Sequence, residues 1–226
     1  MLRKKNVILA LCFGLAVCIC LVVFITSFKL NSFGEEFYKV EFEKYDVYGN
    51  FYGQDVDEIN QEVLDYIKGK GDSLDTEVFE KNEIEHLVDV RGVIAKINSF
   101  YYWSWLISVV LMVVLFSVNR KGFVKNIIKV LVYSGLSTII LTLVILALVI
   151  LKFDSVFTSF HHIFFPQGGW LFNTSDKIVN LYPSGLFYDI AKRIFFSVMV
   201  YGCVLILLGA LGHKILVKYL NKGKNK

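Results

Sequence analysis

Four histidines are this chain's candidates for proton chemistry near neutral pH: His86, His161, His162 and His213, because an unperturbed imidazole titrates at about 6.5. His86 is followed three residues later by Asp89, one helical turn away, so a carboxylate is available to orient its ring. His161-His162 is set between Phe160 and Ile163-Phe164-Phe165. Such residues could solvate a surface, ligate a metal through His86, Asp89 and one of the pair, or act as general acid and base. Metal ligation lacks the H-x-x-x-H or H-E-x-x-H spacing that puts two imidazoles on one helix face. There is no G-x-S-x-G elbow, phosphate-binding loop or glycine-rich dinucleotide turn, so neither a serine hydrolase nor nucleotide chemistry is supported.

The elements that hold these residues follow from composition. Of 226 residues, 55% are hydrophobic, 15% aromatic and only 19% charged, and the net charge is +4. Mean hydropathy is +0.56. This excludes a disordered chain and a basic nucleic-acid-binding domain. Four runs contain no charged residue and no histidine: 7–28, 101–118, 130–151 and 194–212. As helices they are about 27 to 33 Å long, matching a hydrocarbon core of about 30 Å. The sequence predicts an all-α integral membrane protein with four transmembrane helices. His213 lies at the end of the fourth run, where a terminal role suffices.

Segments 1–6, 119–129 and 213–226 hold twelve basic residues in 31 positions and no acid, whereas 29–100 and 152–193 hold twelve in 114 positions with all 20 acids. The positive-inside rule therefore puts both termini and 119–129 in the cytoplasm, and 29–100 and 152–193 outside. Lys192-Arg193, at the outer end of the fourth run, is the local exception. Tyr101-Tyr102-Trp103-Ser104-Trp105 reads as an outer-interface anchor. The first run exceeds a signal peptide's apolar core of about 7 to 15 residues, so it reads as an uncleaved anchor. Cys12, Cys18 and Cys20 fall in the first run and Cys203 in the fourth, with no C-x-x-C spacing; they read as packing residues.

The chain thus divides into 1–28 (N-terminus and first span), 29–100 (extracellular cap), 101–151 (second and third spans with loop 119–129), 152–193 (aromatic-rich interfacial loop) and 194–226 (fourth span and tail). The cap is expected to be small and mostly helical. It has a short strand or extended stretch near 41–53, a helix from Asp55 stopped at Gly69, and a turn or short helix over 75–81. Asn82-Glu83-Ile84-Glu85 has the form of a capping box for a helix whose apolar face carries Ile84, Leu87, Val88, Ile94 and Ile97. Segment 152–193 holds ten aromatics and both prolines. So greasy a stretch belongs at the lipid interface, lining a lipid-accessible site. A straight helix from Asn82 to Val118 would carry His86 about 22 Å beyond Tyr101, so a break is predicted at Gly92 or at Asn98-Ser99.

His86-Leu87-Val88-Asp89-Val90, Phe160-His161-His162-Ile163-Phe164-Phe165, Gly169-Trp170-Leu171-Phe172 and Leu181-Tyr182-Pro183-Ser184-Gly185-Leu186-Phe187-Tyr188-Asp189, in that order across four spans, resemble the lipoprotein intramolecular transacylases of Gram-positive bacteria. The resemblance implies a membrane acyltransferase that moves the sn-2 acyl chain of a diacylglyceryl-lipoprotein to the α-amine of its own N-terminal cysteine. The product would be a lyso-form lipoprotein. It also implies His86 and His161 as the catalytic residues; of the pair, His161 is favoured because it directly follows Phe160 and precedes x-Ile-Phe-Phe. Asp89, His162, Trp170 and Tyr182 would be supporting residues. In that scheme His161 is the base and His86, oriented by Asp89, polarises the ester, although the two roles are interchangeable.

The reaction suits the chemistry of these residues. An α-amine with a pKa of about 7.7–8.0 must shed a proton to attack, which an imidazole assists. Donor and acceptor share one molecule, so no protein nucleophile, cofactor or metal is called for, and proximity supplies much of the rate. The partners expected are a diacylated lipoprotein and membrane lipid, with no nucleic acid. Two other functions fit the same residues: a non-catalytic lipoprotein- or lipid-binding membrane protein, and a membrane metallo-hydrolase using the three external histidines.

Overall fold

The computed structural model describes residues 2–71, 74 and 78–224. Seven α-helices run in order: α1 (Leu2–Asn31), α2 (Glu35–Lys44), α3 (Val56–Ile67), α4 (Lys81–Val118), α5 (Phe123–Phe164), α6 (Lys177–Leu181) and α7 (Ser184–Lys224). The described residues contain no strand. Helices α1, α4, α5 and α7 are long and apolar enough to cross a membrane, and each contains one of the four uncharged runs. The chain folds as two units, a span unit (1–28, 100–145 and 194–226) and a cap unit (29–99 and 146–193).

The span unit is packed through small residues. A Cβ added to Gly135 of α5 would lie 2.6 Å from the carbonyl oxygen of Gly202 in α7. One added to Gly202 would lie 2.8 Å from Ile139, and one on Gly209 2.5 Å from Val132. In lipid there is little hydrophobic force between helices, so close backbone approach must supply the dispersion contact. Several hydroxyls bond within their own helices: Ser108 donates to the Ser104 carbonyl and Ser134 to that of Val130, at 2.7 and 2.6 Å. Large apolar side chains such as Phe13 and Phe196 remain exposed, as a lipid-facing surface requires.

The cap unit is built differently. Phe42, Val47, Val63, Leu64, Leu181 and Leu186 are buried together with Tyr38 and Phe51. The stretch 41–53, whose mixed pattern suits a short strand or an extended segment, forms neither a strand nor one extended segment. Tyr38, Glu41 and Phe42 are buried at helical spacing in α2, which ends where Asp46 takes a positive φ of 51°. A 3₁₀ turn follows at Tyr48–Asn50. Asp55 caps α3 by accepting from the backbone of Asp57 and Glu58. Gly69, at φ +82°, stops α3 as predicted, because the left-handed conformation there suits glycine. The turn or short helix expected over 75–81 falls partly outside the described residues.

Two helix boundaries also differ from expectation. The capping box lies two residues earlier than predicted: Glu83, not Glu85, reaches back, accepting from the Glu80 backbone N–H at 2.6 Å. Helix α4 continues through Gly92 and Asn98-Ser99 without the predicted break. A break is needed only if His161 stays at the end of its span, and α5 instead runs on to Phe164, carrying His161 about 15 Å past Leu151. The backbone leaves helical geometry only at Lys152 (φ −145°, ψ 41°), the first residue after the uncharged run. Much of the predicted loop 152–193 is therefore helical. Phe153, Phe157, Phe160, His161 and Phe164 recur at spacings of three and four, which is a helix period. Only 165–176 and the two-residue link 182–183 are without regular structure there.

Candidate active site

The site lies within the cap unit. Helix α4 begins by burying Glu83 completely. One carboxylate oxygen of Glu83 caps its own helix; the other accepts from the backbone N–H of Ile178 at 2.7 Å. That second bond pins the start of α6, and with it the far end of the 165–176 segment, to α4. One turn on from Glu83 stands His86, only 8% exposed. Its ring centroid lies 4.9 Å from that of Phe165 and 5.4 Å from that of Phe172. Its Nδ1 is buried with no hydrogen-bond partner, a costly arrangement for a polar atom.

His161 comes from α5, beyond the Lys152 kink. Its ring is 6.2 Å from that of His86, nearly parallel at 21°, although 75 residues separate the two in sequence. Nδ1 of His161 lies 2.8 Å from the carbonyl oxygen of Phe157, one turn earlier. A carbonyl only accepts, so Nδ1 carries the proton and Nε2 presents a lone pair. Phe157 packs at 4.3 Å and Trp170 at 4.9 Å from the same imidazole.

Both imidazoles stand outside the uncharged runs, and both are held neutral. Burial chiefly, and then the charge of His161, push His86 down to about 4, against a smaller opposing effect of Asp89. Burial also lowers His161, opposed by its bond to the Phe157 carbonyl and assisted by the neighbouring His162. Neutral imidazoles at pH 7 can accept a proton, and each also carries one N–H to donate.

The other sequence-predicted residues take several positions. Trp170 meets both members of the His161-His162 pair, 5.1 Å from the exposed His162 and edge-on to it. Asp89 does not hydrogen-bond to His86. Its carboxylate accepts from Nε2 of Gln167 at 2.8 Å, clasping the near end of the 165–176 segment, and it acts on His86 only through its charge. Tyr182 stands one layer away. Its hydroxyl donates to Asn60 at 3.0 Å, burial raises its phenol well above the usual range, and its ring meets Phe187, which in turn meets Phe157. Among the described residues, no three His, Cys, Asp or Glu side chains are grouped to hold a metal ion.

Sequence reasoning gives Phe157, Phe165, Gln167 and Glu83 no individual role at the site. Phe157 was recoverable, since it precedes His161 by four residues and a helical reading of 152–164 puts its carbonyl in reach. Gly168 and Gly169, both at positive φ, shape the turn that brings Trp170 back over His161.

Comparison with known proteins places the chain among relatives. A family model described as "Lipoprotein intramolecular transacylase Lit" matches residues 13–187. A protein of Aquifex aeolicus (strain VF5), described only as uncharacterized, is 25% identical over 139 residues, 61% of this chain, and the chain spans 59% of that relative's length. The membrane integral lipoprotein intramolecular transacylase Lit from Bacillus cereus has a similar fold, with a TM-score of 0.71 at 19% identity over 99% of this chain and 98% of that one. A histidine-to-arginine variant of the same protein gives 0.77 at 17% identity, over 96% of each chain.

Proposed function

This chain belongs to the lipoprotein intramolecular transacylase family, and from that premise we propose that it moves the sn-2 acyl chain of a diacylglyceryl-lipoprotein to the α-amine of the lipoprotein's N-terminal cysteine. The observation that carries the reading is the pair of neutral, stacked imidazoles 6.2 Å apart, one with its tautomer fixed by a backbone carbonyl. His161 is the base, taking the proton from the cysteine nitrogen through Nε2 as that nitrogen attacks the ester carbonyl. A new N–C bond forms, the C–O bond to the glyceryl sn-2 oxygen breaks, and the proton passes from His161 to that oxygen. His86 donates to the oxyanion that develops in between. A buried ring nitrogen with no protein partner is suited to a charge that exists only during the reaction. Trp170, Phe157 and Phe165 hold the acyl chains, and the exposed His162 is dispensable.

Substrate and product are isomers, so intact mass does not separate them. Tandem mass spectrometry of a lipoprotein's N-terminal peptide should locate an acyl group on nitrogen when this protein is expressed with a diacylated lipoprotein. Acyl groups remaining on both glyceryl oxygens would refute the assignment. In the proposed orientation both termini and 119–129 are cytoplasmic and the histidines are at the outer face, on the strength of the charge asymmetry. A cysteine replacing Lys121 should then resist a membrane-impermeant thiol reagent on intact cells, and labelling there would reverse the topology.

A further inference from the structure

Lys192-Arg193 is the exception to the charge asymmetry, and its two members differ in what holds them. Lys192 is ion-paired with Asp189, one turn earlier in α7. Arg193 is exposed and makes no ion pair among the described residues, yet it is held at two points. Its Nε donates to Oδ1 of Asn31 at 3.1 Å, and its guanidinium carbon lies 4.9 Å from the centroid of the Phe37 ring. Asn31 is itself 8% exposed. Next to it in the chain, the Ser32 hydroxyl is buried with no hydrogen-bond partner.

An arginine that merely snorkels at a membrane boundary keeps its head free in water. Here Nε is committed and one face of the guanidinium is covered, so the two Nη groups form the open edge. Those donors are spaced for two oxygens of one tetrahedral anion, and the restraint lowers the entropy lost on binding. Position favours the same ligand. Arg193 immediately precedes the uncharged run 194–212, and Asn31 follows the run 7–28 by three residues, so both stand where a spanning helix meets the headgroups. The lipoprotein's diacylglyceryl group carries no phosphate and does not match the fork.

We propose that Arg193, fixed by Asn31 and Phe37, binds the phosphate oxygens of one phospholipid headgroup, at a site separate from the histidine pair. Native mass spectrometry of the full chain in detergent, titrated with dioleoyl-phosphatidylglycerol, tests this directly. One retained lipid per chain is expected, with dioleoyl-phosphatidylcholine also retained, because both carry the phosphodiester, and dioleoylglycerol not retained. Arg193→Gln should weaken retention about tenfold, the loss of a charge-assisted bidentate contact. Arg193→Lys keeps the charge but loses the fork and should also weaken it, so the proposal stays testable if the glutamine variant misfolds. Equal retention of dioleoylglycerol, or undiminished retention in both variants, would overturn the site. Displacement of the lipid by equimolar inorganic phosphate would make it a site for free anions and overturn the headgroup assignment.

Discussion

The span unit and the cap unit solve the same packing problem with opposite materials. In the span unit the close contacts are glycine against backbone, at Gly135 and Gly202, and hydroxyls such as those of Ser108 and Ser134 bond back to their own helices. In the cap unit the contacts are aromatic rings and side-chain clasps: Glu83 on the Ile178 N–H, Gln167 on Asp89, Tyr182 on Asn60. Lipid gives no reward for burying apolar surface, so a span must shrink its side chains to gain contact. Beyond the uncharged runs, burial in water is rewarded and polar groups can be fixed one by one. Only the second kind of packing can hold two imidazoles at a set tautomer and spacing.

Glycine substitutions sharpen the contrast most strongly. Gly202→Leu would drive a side chain into Ile139 and the Gly135 backbone, and should cost about 1–3 kcal/mol or more of stability. Gly92, in the cap unit's part of α4, has nothing within 4 Å of its missing Cβ, so Gly92→Ala should stabilise by about 0.5–1 kcal/mol. Thermal unfolding in detergent reads both. A destabilised Gly92→Ala would mean that α4 does break there after all.

A smaller effect probes the electrostatics of the cap unit. His86 titrates at about 4 against about 6.5 in an unfolded chain. Between those values the unfolded chain binds more protons than the folded one, so stability rises with pH there. The contribution is whole above about 6.5 and is lost as pH falls through about 4. Histidine-selective NMR should find the His86 imidazole titrating far below the free value, and Asp89→Asn should lower it further, because the Asp89 charge opposes the shift. A His86 resonance titrating at or above 6.5 would show the ring to be solvated.

The spans were fully legible, because four uncharged runs of bilayer length have few other physical readings. His86, His161 and Trp170 were legible as side chains but not in their contacts. Reading 152–164 as a loop hid the four-residue relation between Phe157 and His161, so the bond that fixes the tautomer was invisible. Asp89 looked like the partner of His86 because only local spacing was available, whereas its hydrogen bond goes to a residue 78 positions away. Glu83 looked like part of a capping motif and nothing more; its second role depends on Ile178, which no period in the sequence points to. Helix α2 was missed because six of its ten residues are charged, which masks the buried stripe of Tyr38, Glu41 and Phe42.

The central claim is that His86 and His161 act as one unit on one substrate. It is tested most directly by a double-substitution cycle, with N-acyl formation read by tandem mass spectrometry in wild type, His86→Ala, His161→Ala and the double variant, and His162→Ala as the control. Each single substitution should cost about 10²- to 10⁴-fold, as the loss of a proton-transfer group does. The double should cost little more than either alone, because residues that act together are not additive, and His162→Ala should stay within a few-fold of wild type. Losses that multiply in the double variant, or full activity in either single one, would contradict the account.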